Sequence, residues 1–382
     1  MRTAAGQGRF ARLRGAVSGG AVGAAALLFL SGAVLGAERE PHIGYVFQAG
    51  CRQGTTAEVL VGGQWLRGAK GASVTGDGVT VEVLEHYRPR RNPTREQRIA
   101  LALRLRDLGR KRLDELGAKR NSPLMIPGVW MARRKNLEEM KKEAEGVELP
   151  DHPLLRNLEE KSLRELVHIG DEFFNWEKRQ KEQPNAQLAE MVLLKMTVAK
   201  TAAPGDRELR LLTPMGLTNP MCFQVGLLPE ATEQEPNDPG AFPRLPRAEP
   251  LTLPVLLNGQ IMPGDVDRIR FRAEQGQKLV FRMHARRLVP FLADAVPGWF
   301  QAVLTLCDER GRELAFVDDF RFEPDPVFRF EVPEDGVYEV EIRDAIYRGR
   351  QDFVYRLAIG ELPFVTSVFP LGGRARQATV AE

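Results

Sequence analysis

The chain has 382 residues, which is enough for two or three domains that each bury a hydrophobic core. Its 54 basic and 51 acidic side chains leave a formal net charge of +3, and the basic excess is concentrated in the N-terminal arginines and in residues 86–184. The remaining β-rich parts are net acidic, which argues against binding to the phosphates of nucleic acids and suits the binding of cations.

The N-terminal segment, residues 1–37, predicts an export signal. Four arginines precede an uncharged run from Gly15 to Ala37, and the small residues Gly36 and Ala37 offer a cleavage site. An uncleaved membrane anchor is the alternative, because about 20 apolar residues can span a bilayer. We expect an exported protein with an extracellular, periplasmic or cell-surface location, which contacts a membrane only through this segment if it is not cleaved.

Short strands separated by glycine turns follow in residues 41–84, and a similar alternation of apolar and polar residues resumes in residues 187–228. The residues of interest are Ala49-Gly50, Gly54-Thr55-Thr56, Val59, Val61, Gly63 and Leu66 in the first stretch, and Ala203-Pro204-Gly205 and Thr213 to Pro220 in the second. These stretches resemble the two halves of an immunoglobulin-like domain of the transcription-factor (TIG or IPT) type. The resemblance implies one discontinuous domain, 41–84 plus 187–228.

The segment between these halves, residues 86–184, is charged and predicted to be helical. Thr94 with Gln97 forms a capping-box pattern at the start of a first helix, and Gly117 is a stop signal. A later helix is predicted from one apolar stripe that Pro184 ends; its members are Leu155, Leu158, Leu166, Ile169, Phe173 and Trp176. We interpret the stripe as packing between the helices.

An apolar loop lies between the two predicted helices and contains Trp130 and Met131. Exposed clusters of large apolar side chains often mark interaction surfaces. We therefore treat Trp130 and Met131 as a candidate surface for a protein partner.

A second β-sandwich is predicted for residues 229–362. Apolar residues occupy every second position from Asp267 to Arg272, the period of a strand with one buried face. The segments that carry a family resemblance are 235–238 (EPND), 264–271 (GDVDRIRF), 304–315 (LTLCDERGRELA), 318–319 (DD), 336–344 (GVYEVEIRD) and 355–360 (YRLAIG). In this order they resemble the bacterial pre-peptidase C-terminal domain, a jelly-roll sandwich related to the collagen-binding domains of bacterial collagenases.

Oxygen-bearing side chains cluster around the entrance to this sandwich, and such ligands suit calcium, which takes six to eight oxygens in irregular geometry. The resemblance implies calcium ligands in the linker at Glu233, Glu235, Asn237 and Asp238, and in the turn at Asp265 and Asp267. The alternative is a solvated acidic linker followed by ordinary turn residues. A structural Ca2+ ion is the only cofactor that the sequence suggests.

Two further features concern cysteines and catalysis. A disulfide between Cys51 and Cys222 is one interpretation, and three unpaired, part-buried thiols is the other.

The sequence has no HExxH, GxSxG or CxxC motif and no phosphate-binding glycine loop, so we do not expect an enzyme. His284 is interpreted as a surface residue of a strand.

The last segment, residues 363–382, resembles the first strand of a second immunoglobulin-like domain, either as the start of a truncated product or as a strand added to another sheet.

Altogether the sequence predicts a mainly β chain: an immunoglobulin-like sandwich with an α-helical insertion, followed by a jelly-roll β-sandwich. We expect a non-catalytic binding, adhesion or targeting protein of the cell envelope, with an extracellular or envelope protein or polysaccharide as partner. The alternative is the accessory N-terminal region of a larger exported hydrolase.

Overall fold

The computed structural model describes residues 40–118, 125–132, 137–175, 185–237, 247–289 and 299–375. The predicted export signal, residues 1–37, lies outside these ranges. The strands are β1 His42–Phe47, β2 Gly50–Arg52, β3 Thr56–Gln64, β4 Gly71–Val74, β5 Val79–Tyr87, β6 Glu190–Val198, β7 Gly205–Thr213, β8 Gly216–Leu217, β9 Met221–Gly226, β10 Glu230–Thr232, β11 Val255–Gln260, β12 Asp267–Ala273, β13 Lys278–His284, β14 Ala302–Cys307, β15 Glu313–Val317, β16 Val327–Glu331, β17 Gly336–Asp344 and β18 Val354–Gly360. The helices are α1 Arg95–Glu115, α2 Leu137–Glu143 and α3 Leu163–Phe174. The prediction of a mainly β chain is confirmed.

The first sandwich consists of the sheets β1-β3-β6-β5 and β2-β9-β7-β4. Strands from both sides of the helical segment share these sheets, because β3 pairs antiparallel with β6 and places Val59 opposite Leu194. Alternate residues of each strand face the other sheet, and Val61, Val192 and Phe223 are fully buried there. The hydrophobic core therefore depends on residues that are far apart in the chain.

The helical segment follows β5 in the chain and begins with α1 as predicted. Thr94 caps α1 with its side chain, and the side chain of Gln97 accepts a hydrogen bond from the Thr94 backbone in return. The helical segment contacts the first sandwich through Arg156, whose guanidinium lies 2.6 Å from the Glu58 carboxylate. This ion pair is partly exposed, so its own contribution to stability is small.

The prediction of one long helix through Leu155 and Leu158 was wrong. These two residues lie in separate 3-10 turns, and the α-helix begins only at Leu163, where Ser162 and Glu165 form a second capping box. Leu158 nevertheless packs with Ile169 and other apolar side chains, so the apolar spacing indicated a shared core rather than one continuous helix.

The second sandwich consists of the sheets β10-β11-β18-β13-β16 and β12-β17-β14-β15. The alternation predicted for β12 is observed, since Ile269 and Phe271 face the core while Arg268 and Arg272 are exposed. Phe271 lies 5.7 Å from the ring of Phe281 in the opposite sheet. Residues 361–375 contain no strand. The described part of the tail therefore does not add a strand to another sheet, which was one of the two interpretations of residues 363–382.

The two sandwiches are joined by a buried polar and apolar junction. Val354 and Leu288 of the second sandwich pack into the core of the first. Arg356 is 1% exposed and donates hydrogen bonds to Asn258 and Glu230 at 3.0 and 2.7 Å. Gly50 of β2 lies against this guanidinium, and a Cβ at Gly50 would meet Arg356 Nη1 at 2.1 Å.

His284 belongs to the same junction, so its interpretation as a surface residue was wrong. Its Nδ1 lies 3.0 Å from the side-chain amide of Gln224 in the first sandwich. Burial lowers the pKa of His284 to about 4, so the imidazole is neutral at pH 7. The side chain points away from its own core, as the strand period requires, but the neighbouring sandwich covers it.

No helix among the described residues combines the length and the apolar character needed to cross a membrane.

The close approach of Gly50 to Arg356 leads to a prediction about stability. Gly50→Ala should lower the free energy of unfolding by about 1–3 kcal/mol, because the new methyl group overlaps Arg356 and the Gln224 carbonyl. Gly71→Ala is the matched control, since nothing lies within 4 Å of a Cβ at that strand position, and it should change stability by less than about 0.5 kcal/mol. Chemical denaturation of the full chain measures both, and equal effects would contradict the packing argument.

Candidate functional site

Three carboxylate side chains meet at the entrance to the second sandwich. One oxygen from each of Glu233, Glu235 and Asp267 lies within 4.8 Å of the other two. Glu233 follows β10, Glu235 lies in the linker after it, and Asp267 is the first residue of β12. The linker and the two facing sheets thus contribute to one site.

The cluster is held by strand residues on either side. The backbone N–H of Gln260 donates to Glu233 at 2.9 Å, and the hydroxyl of Tyr355 donates to Asp267 at 2.5 Å. Tyr355 also lies 3.3 Å from the carboxylate of Glu233. Gly259 makes room for Tyr355, because a Cβ there would meet the phenol ring at 2.1 Å.

Tyr355 is the site residue that sequence reasoning missed. It occupies a core-facing position of β18 and is 1% exposed. A buried tyrosine hydroxyl nearly always has a hydrogen-bond partner, so a tyrosine in an otherwise apolar strand was a usable signal. Its partner could not be found from the strand alone, because Asp267 is 88 positions away in the chain.

The other predicted ligands are placed less centrally. Asn237 donates through its backbone N–H and its side-chain amide to Glu235, at 3.0 and 2.8 Å. Asp265 is buried and accepts a hydrogen bond from the Met262 backbone at 3.0 Å. Asp238 lies outside the described residues.

The electrostatics of the cluster favour a cation. Burial raises the pKa of Asp267 well above its ordinary value, and the neighbouring charge of Glu233 raises it further. Burial likewise raises the pKa of Glu233. Among the described residues, the Oδ1 atoms of Asp267 and Asn237 are buried and have no hydrogen-bond partner. Acceptor oxygens without donors are the groups that a bound metal ion would satisfy.

The donor set decides which ion fits. All the atoms in question are carboxylate, amide or hydroxyl oxygens, and no histidine or cysteine belongs to this cluster. Hard oxygen ligands from an irregular linker suit Ca2+ better than zinc or copper, which prefer nitrogen and sulfur. The residues present therefore fit the calcium site that the sequence suggests.

The candidate disulfide between Cys51 and Cys222 is not formed, and both thiols are free. The register places Cys51 opposite Val225, three residues along β9 from Cys222. Three residues of strand span roughly 10 Å, whereas bridged cysteines have Cα atoms less than about 7 Å apart. The two thiols also occupy alternate positions and so face opposite sides of the sheet.

The candidate partner surface at Trp130 and Met131 divides into two environments. Trp130 is 65% exposed on a short 3-10 helix, whereas Met131 packs against a small apolar cluster with Ile99, Leu103 and Met140. Trp130 is therefore the more exposed of the two side chains.

Comparisons with known proteins give structural neighbours and no sequence relatives. No protein family and no curated protein matches the chain. The pre-peptidase C-terminal domain of a Bacillus anthracis collagenase is 14% identical, with a TM-score of 0.22 over 30% of this chain and 97% of that one. A periplasmic inhibitor of g-type lysozyme from Aeromonas hydrophila is also 14% identical, with a TM-score of 0.19 over 28% and 82%. The secreted serine protease VesC from Vibrio cholerae is 10% identical, with a TM-score of 0.18 over 46% and 36%. These values are too low to assign a function.

The raised carboxyl pKa values predict the pH dependence of the ion-free protein. A carboxyl whose pKa is higher in the folded than in the unfolded state stabilises the fold below its unfolded pKa, and this stabilisation is lost as the pH rises through the folded pKa. In chelator, the midpoint temperature of thermal unfolding should therefore fall as the pH rises above the ordinary carboxyl pKa range. Glu233→Gln should reduce this fall and Glu274→Gln, at an exposed position, should not. If the midpoints of both variants depended on pH in the same way, the pH dependence could not be attributed to the raised pKa of Glu233.

Proposed function

We propose that the chain is an exported, non-catalytic binding module whose second sandwich is stabilised by a structural calcium ion. The observation that carries the proposal is the oxygen cluster of Glu233, Glu235 and Asp267, together with the buried and unpartnered Oδ1 of Asp267. A divalent cation would compensate three converging carboxylates that otherwise repel one another.

The position of the cluster gives the ion a structural role. Glu233 and Glu235 belong to the segment that leaves β10, while Asp267 starts a strand of the facing sheet. An ion bound to all three would fix the linker against the sandwich and exclude alternative linker paths. Calcium is abundant outside cells, so such a site suits an exported protein, and a binding, adhesion or targeting role at the cell envelope accords with the lack of a catalytic motif in the sequence.

Thermal unfolding of the full chain tests the calcium site. Addition of millimolar Ca2+ after chelator treatment should raise the midpoint by several degrees, because a ligand at a hundredfold excess over its Kd adds about 2.7 kcal/mol to the stability. The rise should be larger near pH 8 than near pH 5, since protons compete with the ion for raised-pKa carboxylates.

The matched control uses two aspartates of the same sandwich. Asp267→Asn should abolish the calcium response, whereas Asp319→Asn, an exposed residue outside the cluster, should retain it. A response of equal size in both variants would place the ion elsewhere, and no response in the unaltered chain would refute the calcium proposal.

A further inference from the structure

A cavity of about 590 Å³ lies on the outer face of β13, beside the junction of the two sandwiches. Its volume is within the range of small-ligand sites, and domain junctions are common places for such sites. The lining residues that matter for its chemistry are Arg282, His284, Arg286, Phe320, Glu323 and Asp325. None of the carboxylates of the calcium cluster lines it.

The cavity contains guanidinium groups that lack carboxylate partners among the described residues. Arg282 donates to the backbone carbonyl of Pro363 at 2.7 Å, and Arg286 donates to the carbonyl of Val289. Arg287 also lines the cavity, but it forms an ion pair with Asp206 at 2.7 Å. Arg282 and Arg286 are therefore the two cations whose charge no described carboxylate balances at salt-bridge distance.

The acidic residues of the cavity do not replace those partners. Asp325 accepts backbone hydrogen bonds from Arg286 and Arg287 at 2.7 and 3.0 Å, so its carboxylate holds the turn. Glu323 is exposed at the rim. His284 adds a neutral imidazole, because its ring is buried against Gln224. Arg282 and Arg286 thus bring guanidinium N–H donors to the cavity, and arginine is the side chain best suited to bind a carboxylate.

The chain itself indicates what kind of molecule the rim accepts. Residues after β18 turn back over the sheet, so that the Pro363 carbonyl receives a hydrogen bond from Arg282. The next residue, Phe364, places its ring 5.6 Å from the ring of Phe320. Two lining residues of the cavity therefore already contact a peptide carbonyl and an aromatic side chain.

We propose that this cavity binds the carboxyl-terminal end of a peptide, with the terminal carboxylate on Arg282 and Arg286 and an aromatic side chain on Phe320. The segment Pro363-Phe364 contacts part of the same surface and would compete with such a peptide at the rim. This site is independent of the calcium cluster and of the role proposed for it.

Isothermal titration calorimetry on the full chain tests the proposal with two probes. Acetyl-Pro-Phe with a free carboxylate should bind, and its carboxamide should bind at least about tenfold more weakly, because the amide lacks the charge that the arginines recognise. Titration in calcium and in chelator should give the same result, so that failure here is distinguishable from failure of the calcium site.

Variants assign the contacts. Arg282→Gln and Arg286→Gln should each weaken binding of the free acid about tenfold and leave binding of the amide unchanged. Arg329→Gln is the matched control, because it removes the same charge from the exposed face of β16 outside the cavity lining, and it should bind the acid normally. If Arg282→Gln unfolds, as judged by its thermal midpoint, Arg286→Gln decides the question.

Three outcomes would overturn the proposal. These are equal binding of acid and amide, unchanged binding in a folded Arg286→Gln variant, and absence of binding of the acid by the unaltered chain. Digalacturonate is the probe for a non-peptide acid. If it binds and acetyl-Pro-Phe does not, the ligand of the cavity is an acidic saccharide and the peptide proposal is wrong.

Discussion

The buried guanidinium of Arg356 is the contact on which the arrangement of the two sandwiches depends. It is 1% exposed, it pairs with Glu230, and the backbone at Gly50 lies close against it. A buried charge that loses its partner destabilises a protein by about 3–5 kcal/mol, so the pair must remain intact once the junction has closed. The pair itself lies within the second sandwich, and the contacts that cross to the first sandwich are the packing of Arg356 on Gly50, the Arg287–Asp206 ion pair, the His284–Gln224 contact and the apolar packing of Val354 and Leu288.

Strand β18 links this junction to the carboxylate cluster. Successive residues of a strand point to opposite faces, so Tyr355 faces the sandwich interior and reaches Asp267, while Arg356 faces the neighbouring sandwich. On β13, next to β18, His284 contacts the first sandwich and Arg282 lines the cavity. A shift of register in β18 would disturb the contacts of Tyr355 and Arg356 together, and a shift in β13 would disturb those of Arg282 and His284.

The sequence predicted those features that depend on local patterns. The alternation of β12 and the Thr94 capping box were correct, because strand period and helix capping involve neighbouring residues. The convergence of Glu233, Glu235 and Asp267 followed from a family resemblance, since no local pattern brings a linker next to a distant strand.

What the sequence did not predict depends on contacts between distant segments. Strand parity shows that His284 points away from its own core, but not that a second sandwich covers that face. The apolar spacing around Leu158 continues across a break in the helix, and only the pattern of Ser162 and Glu165 marks the true start of α3. The cavity beside β13 is lined by residues from β13, from the turn after it and from residues 320–327, and sequence periodicity does not show that these segments meet.

The pairing of β3 with β6 across the helical segment has a consequence for folding during synthesis. Strand β3 has its antiparallel partner β6 only after the whole helical segment has been made, so the first half of the sandwich is synthesised with an unpaired sheet edge. The helices contain local contacts and can form early, whereas closure of the sheet must wait for non-local pairing, which is slow and leaves apolar strands open to aggregation.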